Sequence, residues 1–543
     1  MGLASNPFHD GERQAQLRAG APEVASWAAG FIRGYMPQQH RDFYKSLPFL
    51  VVSASDDQER IWTTIVEGSD GFIRSPDRGT LILETDVDPS DPLAATLNSG
   101  SNVGVLGIEL ATRRRNRLSG MIRPTAGGFA IDIRQTFGNC PQYIREREWH
   151  RVDSLRSKSA KTSDHLTSDQ IALIRHADTL FIGSGYQAGD GQDSNGFDAS
   201  HRGGEPGFVQ IIDGTHLRIP DYAGNNFFNT IGNLLRNPHV GLLFVDFETG
   251  GMVQISGLAT IDWDPHDVGD AGARRMIDVT VKAVVDRPAA LSLRWEADVS
   301  QAHELVVARK EVEAKDIASF YLSPAGGAPL PVFEAGQHLP IELDIPGQPG
   351  KVRRSYSLSG SPKEDTYRLS IKREDRGLVS RFMHDVVGAG SPIRARRPSG
   401  EFVVPCNQCP LVLASAGVGL TPMVSMLHAV AVECGKRPVW FVHGARDSSH
   451  HALRDEVDRI VGDRPNISNH ILYSRPGASD RIGTDYHKRG RVDAQTLLDL
   501  NTGPDTHYML CGPAQFLADV RSGLEDAEVP VDQIHFETFG PVA

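Results

Sequence analysis

The string RRSYSLSG at 353–360 places Arg354, Ser355, Tyr356 and Ser357 in succession. On an extended strand, side chains two apart share a face, so Arg354 and Tyr356 project together. A guanidinium suits a phosphate and a flat phenol can lie against an aromatic ring, although the same string is equally consistent with an ordinary strand. Further on, Gly377, Leu378, Val379 and Ser380 open a helix read through 381–387. Its first N–H groups attract phosphate, and Ser380 is equally readable as a plain N-cap. Ala416, Gly417, Val418, Gly419, Leu420, Thr421 and Pro422 follow the apolar run LVLAS and precede a helical pattern. Two glycines permit a tight turn with pyrophosphate close to backbone, and Thr-Pro fits helix entry. The third glycine of G-x-G-x-x-G is absent, as is the Gly-Lys-Ser/Thr ending of a phosphate loop. Cys511, Gly512 and Pro513 end the apolar run THYML, at the edge where open α/β sheets bind ligands. A lone Cys there is also readable as a small buried hydrophobe.

Two further groups are candidates for chemistry. Arg113, Arg114, Arg115 and Arg117 form a basic cluster, suited to phosphate or to an ion-paired face. Cys406 and Cys409 make a CNQC pair, but no second pair accompanies it, so a structural role is preferred to zinc or redox chemistry.

The elements that position these groups fall into cycles. From 49 to 133, FLVVSAS, TTIVEG, TLILET and NVGVLGIEL are separated by turn residues, which indicates an antiparallel barrel. TLFIGSG, GFVQIIDG, HLRIP, VGLLFVDFE and MVQISGLATIDW repeat that rhythm from 169, with a helix expected at NTIGNLLRN, so an internal duplication is expected. A Ser-rich stretch at 152–168 joins the two, and the residues from 263, without a strand pattern at their start, are read as leading into a new module. Another antiparallel set runs from 300 to 404, followed by strand–Gly loop–helix alternation, the signature of a parallel α/β sheet. The expected architecture is multidomain: a duplicated antiparallel β-barrel (α+β), a further antiparallel β-barrel and a parallel α/β nucleotide-binding domain. The boundaries expected are 1–160, 161–297, 298–404 and 405–543.

Bulk properties narrow the class. With 543 residues, 40% apolar and 23% charged, the chain reads as several ordinary globular domains. A net charge of −12 provides no field for nucleic acid or anionic lipid, and the Arg cluster lacks interleaved aromatics. Five scattered cysteines, no apolar leader and no long apolar run point to a cytoplasmic protein without a membrane partner.

Taken in order, the motifs of 300–543 resemble the flavin reductase module of the ferredoxin–NADP⁺ reductase superfamily, most closely that of flavohaemoglobins. The resemblance implies FAD, with NADH or NADPH as hydride donor. It assigns Arg354, Ser355, Tyr356 and Ser357 to the flavin-binding strand, and places His338 where such reductases carry an aromatic beside the flavin. Gly377 to Ser380 become the pyrophosphate turn, and Ala416 to Pro422 the nicotinamide-dinucleotide loop. Cys511, Gly512 and Pro513 lie beside the nicotinamide, while Glu537, Thr538 and Phe539 close over the flavin. Cys511, Ser357, Glu537 and Phe539 are the expected catalytic group. Ser474-Arg475 suits a 2′-phosphate, yet modules of this type mostly use NADH, which is the coenzyme expected. No plant-type ferredoxin cysteine run and no globin-like helical run is present.

Residues 1–265 resemble the pyridoxamine 5′-phosphate oxidase-like split-barrel superfamily, through MPQQHRDFYKSLPFLVVSAS, ATRRRNRLSG, FGNCPQYI, ASHRGGEPGFVQI and NNFFNTIGNLLRNPHVGLLFVDF. That resemblance implies FMN held between the subunits of a homodimer; some members bind haem or deazaflavin instead. Ser200, His201, Arg202, Asn229 and Thr230 are the residues expected at phosphate. The acceptor of electrons is then FMN or a small-molecule substrate at the split barrel. The alternatives are a separate protein partner, an oxygenase or ferredoxin, with the split barrel as scaffold, or a haem-binding split barrel reduced in cis.

Overall fold

The computed structural model describes residues 6–538, apart from 29, 139–141, 154–158, 189–193, 267–271, 298–301, 328, 347, 349–350, 376 and 433–436. Two compact units divide the chain, one ending at residue 298 and the other beginning at 299.

The first unit is built from two antiparallel sheets. One runs, in spatial order, Ile61–Glu67, Phe49–Ser55, Asn102–Glu109, Arg114–Thr125, Gly128–Gly138, Thr80–Leu83 and Ile73–Arg74. The other runs Gly196–Gly203, Thr179–Tyr186, His239–Asp246, Gly251–Asp262, Arg275–Arg287, His216–Asp221 and Gln210–Ile211. Strand by strand the two orders coincide. Each repeat also has a helix before its first strand, Gln38–Ser46 or Ser168–His176, and another before the hairpin of its longest strands, Ala94–Ser99 or Asn229–Leu234.

Register extends the match to single residues. Val51 faces Leu106 in one sheet as Phe181 faces Leu243 in the other. Each long hairpin shifts register at a Ser-Gly step, Ser119/Gly120 and Ser256/Gly257. A side chain on either glycine would strike a carbonyl of the facing strand, that of Asp132 or of Thr280, which is why the bulge needs glycine. The sheets pack on each other through a shared apolar layer that includes Phe49, Val51 and Leu106 of one repeat with Phe181, Leu243 and Met252 of the other. Each such buried side chain contributes roughly 1.5–3 kcal/mol. Gly104 admits the backbone of Phe197 and Asp198, and the matching Gly241 admits that of Trp62.

The strand Arg275–Arg287 corrects the sequence reading, which took this stretch as a lead into the next module. Its inward positions alternate as a strand requires, but the intervening charges hide the pattern: Arg275 pairs with Asp221, Asp278 with Arg218 and Arg287 with Asp91.

The second unit begins with a six-stranded antiparallel sheet, ordered Val352–Ser357, His338–Leu343, Pro392–Ala395, His303–Ala314, Ile317–Pro324 and Tyr367–Lys372. A six-stranded parallel sheet follows, ordered Lys488–Arg489, Ile467–Tyr473, Val439–Ala445, Leu411–Ala416, His507–Gly512 and Ile534–Thr538. The chain enters this sheet at Leu411–Ala416, winds outward on one side and returns on the other. Strand order therefore reverses between Leu411–Ala416 and His507–Gly512, where a ligand crevice opens beyond the strand ends. The two layers are tied by Arg368, which donates to both oxygens of Glu456 at 2.6 and 2.8 Å, and by Ser425 Oγ donating to the carbonyl of Gly360 at 2.9 Å. Among the described residues, no helix is long and apolar enough to cross a membrane.

Candidate active site

The crevice is lined by the two glycine-bearing loops singled out in the sequence. Gly417 has φ +55°, a left-handed conformation that leaves it without steric penalty only as glycine. Gly417–Gly419 forms one 3₁₀ turn leading into the helix Leu420–Val432, and Thr421 Oγ1 donates to the carbonyl of Val418 at 3.1 Å to close that entry. A Cβ on Gly419 would sit on the carbonyl of Cys511. The Ala416–Pro422 loop and the Cys511–Pro513 loop thus touch backbone to backbone at the switch point.

On the antiparallel sheet, Val352–Ser357 pairs with His338–Leu343 so that His338 faces Ser357, and Ile341 faces Arg354. Arg354 and Ser355 are exposed; the Arg354 guanidinium donates to the carbonyl of its neighbour Arg353 at 2.8 Å and leaves the rest of its fork to solvent. Tyr356 is half-buried, its phenol pushed up to about 12 by burial, so it stays protonated. The helix read from 381 starts one turn earlier, as Leu378–Asp385, and no side chain caps it at Gly377. Ser380 Oγ turns back instead, accepting from the amide of Glu374 at 3.1 Å and donating to the carbonyl of Gly377 at 3.3 Å. An uncapped helix start and an exposed guanidinium are each of the kind that binds a pyrophosphate.

The two sheets meet at Cys511, Glu537 and His338. Cys511 lies beside Glu537 in register and is fully buried; burial first, then the Glu537 carboxylate, hold its thiol well above the usual range. A neutral thiol here is a small polar surface, not a nucleophile. Glu537 Oε1 stands 3.8 Å from His338 Nδ1, and its Oε2 is buried without a hydrogen-bond partner among the described residues. His338 also shares a 3.2 Å hydrogen bond with Ser399, and Gly400 lies so close to its ring that a Cβ there would be 2.9 Å from Nδ1. Thr538 pairs with Gly512 in register. Phe539 lies outside the described residues. The sequence reading did not anticipate Ser399, which precedes the close-approach Gly400.

In the first unit the candidate residues are turned inward. Arg113 pairs with Glu146 at 3.1 Å, and Arg114 lies 4.6 Å from the centroid of the Phe43 ring. Arg115 approaches His201 Nδ1 at 3.4 Å, and Arg117 pairs with Asp198 at 3.3 Å. The Arg run is therefore an ion-paired and stacked face, one of the two alternatives its sequence left open. Ser200 donates to Asp198 at 2.8 Å, Thr230 donates to Asp198 at 3.2 Å, and Arg202 pairs with Asp221 at 3.4 Å. His201 is buried, and burial together with the surrounding arginines keeps its ring neutral. Since Arg115 donates toward Nδ1, the ring proton belongs on Nε2, which is buried without a partner.

A cavity of about 30 Å³ lies among Glu12, Arg117, Gln135, Asp198, Asn229 and Asn233. It suits water rather than a ring system. Glu12, on the helix Asp10–Arg18, accepts from Asn229 Nδ2 at 2.5 Å and from the amide of His9 at 2.9 Å, and burial raises its carboxyl to about 8. Neither Glu12 nor Asp198 was foreseen, because each is drawn in by partners distant in sequence.

Comparisons with known proteins bear on the second unit. Residues 413–522 match the oxidoreductase NAD-binding domain family. The flavohemoprotein of Deinococcus radiodurans is 40% identical over 235 residues, 43% of this chain and 58% of the relative. That of Bacillus subtilis is 38% identical over 237 residues, 44% of this chain and 59% of the relative. The chain thus spans less than two thirds of these relatives' own length. The solved flavohem-like FAD/NAD-binding domain of the nitric oxide dioxygenase from Vibrio cholerae O1 biovar El Tor is 30% identical, with a TM-score of 0.40, covering 44% of this chain and 99% of that one. The second unit is thus similar to part of these flavohemoproteins, and within it residues 413–522 match an oxidoreductase NAD-binding domain.

Proposed function

We propose that residues 299–539 take reducing equivalents from NADH and pass them to an acceptor, FMN or a small molecule, held by residues 1–298. The observation that carries this reading is the backbone contact of the Ala416–Pro422 and Cys511–Pro513 loops at the switch point of the parallel sheet, with the exposed Arg354 and the uncapped helix start at Gly377 assigned to the flavin. The bound flavin supplies the two-electron chemistry, and the protein supplies position and exclusion of water. In this assignment the Gly417–Gly419 turn holds the coenzyme pyrophosphate, and Arg354 with the amides after Gly377 holds that of FAD. Tyr356 supports the flavin ring, and Ser357, His338, Cys511 and Glu537 border the reacting edge. The polar cluster of Arg117, Asp198, Ser200, Asn229 and Thr230 is the proposed site for the acceptor, and its side chains would have to part to admit more than water. The boundaries at 160 and 404, and a role for Phe539 over the flavin, belong to the same proposal.

Packing of the two repeats against each other takes the place, within one chain, of the subunit pairing expected of a split barrel, so a homodimer would have to use other surfaces. The small cavity and the inward-bonded side chains favour a second reading, in which the first unit is a scaffold and a separate protein receives the electrons. Releasing and counting the flavins per chain separates the two: FAD with FMN supports the relay, whereas FAD alone, with turnover on artificial acceptors only, supports the scaffold. Comparison of kcat/KM for NADH and NADPH tests the coenzyme, and molar mass in solution tests the oligomeric state.

A further inference from the structure

Between the parallel sheet and the helix Leu420–Val432 lies an apolar layer in which Leu411, Leu413, Met423, Leu427, Phe441 and Met509 are fully buried. On the strands, polar side chains enter it near their C-terminal ends. Ser415 aligns with Cys511 on one side and His443 on the other, so all three face the same layer. Ser415 Oγ and His443 Nδ1 share a hydrogen bond of 2.9 Å. The His443 ring lies 5.2 Å from that of His451, and His451 Nδ1 shares a 3.0 Å hydrogen bond with the Tyr473 hydroxyl. Ser415, His443 and Tyr473 are each 0% exposed, and His443 Nε2 has no hydrogen-bond partner among the described residues.

Burying such a chain in an apolar layer is costly, since each unsatisfied group loses its water. Its placement shows what it can do. Ser415 directly precedes the Ala416–Pro422 loop, His443 stands three residues before Arg446, and Tyr473 directly precedes Ser474-Arg475. The loops beyond it are bonded by backbone as well: Ser474 N donates to Ala445 O at 3.0 Å and Arg475 N to Arg446 O at 2.8 Å. Two hydrogen-bonded pairs, Ser415 with His443 and His451 with Tyr473, therefore meet through the ring contact of His443 and His451 beneath the loops that follow three neighbouring strands. Burial keeps both imidazoles below their ordinary range, hence neutral and able to donate from one nitrogen while accepting at the other.

We propose that Ser415, His443, His451 and Tyr473 form a positioning network that locks the three coenzyme loops at one relative height, so that NADH is bound in a single geometry. His443 acts through Ser415 and touches no reacting atom. The inference rests on nicotinamide use by this sheet and is independent of which acceptor the first unit serves.

The test is anaerobic stopped-flow reduction of the full-length, FAD-loaded chain by NADH, which separates the coenzyme Kd from the limiting rate. His443→Leu is expected to raise Kd about tenfold, the loss of roughly one hydrogen bond. The limiting rate, FAD content and melting temperature should stay at parental values, and His443→Gln, which can still bond Ser415, should recover most of the affinity. Tyr473→Phe removes one oxygen and is expected to raise Kd by a smaller factor in the same direction; it carries the test alone should His443→Leu fail to fold. An unchanged Kd in Tyr473→Phe together with either an unchanged Kd in His443→Leu or a loss of affinity that tracks loss of FAD and of melting temperature overturns the proposal.

Discussion

At the strand ends of the parallel sheet, Gly417 presents exposed backbone and Gly419 packs on the backbone of Cys511, a small and neutral side chain. Between the two antiparallel sheets of the first unit the reverse holds. Arg117, Asp198, Ser200, Asn229 and Thr230 bond to one another, Arg117 Nε being left without a partner among the described residues, and little volume remains between them. One region is built to receive a ligand along its main chain; the other is a side-chain network closed on itself. If that contrast is right, the reductase region should fail through changes in backbone fit and in the fixing of its layers, and the first unit through changes in the ionisation of its buried groups.

The largest effect is expected where the reductase layers are clamped. Arg368 and Glu456 are largely buried, and His428 shares a short hydrogen bond with the same carboxylate. These partners hold Glu456 at about 2 despite its burial. Arg368→Ala leaves that carboxylate with His428 alone, so a loss of about 3–5 kcal/mol is expected, as for other buried pairs broken on one side. Denaturant unfolding followed by release of FAD fluorescence measures it. A loss confined to the transition of the first unit would contradict the clamp.

Next comes Gly419→Ala. Its methyl must displace the carbonyl of Cys511, opening the crevice at the point where the two loops touch. Misplacement of this order lowers the rate of coenzyme-dependent flavin reduction by about a hundredfold. FAD content should hold, because the residues assigned to FAD lie on the other sheet. Equal loss of FAD and of rate would mean that the loop serves the whole unit and not the coenzyme.

Legibility in the sequence followed this same contrast. The Gly417–Pro422 and Cys511–Pro513 loops were readable because glycine and proline at strand ends dictate backbone locally, and the strand–helix rhythm around them fixed the parallel sheet. The duplication was readable as a rhythm, but its residue-level match emerged only from register, which the Ser-Gly bulges pin. Ser200, His201, Arg202, Asn229 and Thr230 were read as phosphate contacts; Ser200 and Thr230 bond to Asp198 and Asn229 to Glu12, and neither of these two acids was foreseen. Nothing near Glu12 in the chain foretells that Asn229 will accept it as a partner. The strand Arg275–Arg287 was hidden because ion pairs let charged residues occupy half-buried positions. Ser415 and His443 were passed over as part of apolar runs, since a polar residue at a strand end is locally unremarkable.

The smallest expected effect sharpens the other half of the comparison. Glu12 is buried beneath its own helix, with His9, Asp198 and Arg117 around it, and its carboxyl is raised from 4.5 to about 8, by burial first and by Asp198 in part. A folded-state value above the unfolded one means that folding takes up a proton between those limits. Stability of the first unit therefore falls as pH rises through that window and levels off above it. His9 and His201, both held below the ordinary histidine value, act only below about pH 6.5 and in the opposite direction, so the interval from pH 6.5 to 8 isolates Glu12. A decline of about 2 kcal/mol is expected across it. Glu12→Gln, an isostere of the protonated acid, should flatten that slope while leaving NADH-dependent reduction of FAD as it was. A variant that keeps the parental slope would show that the carboxyl is already ionised in the fold, and that the network between the repeats is open to solvent after all.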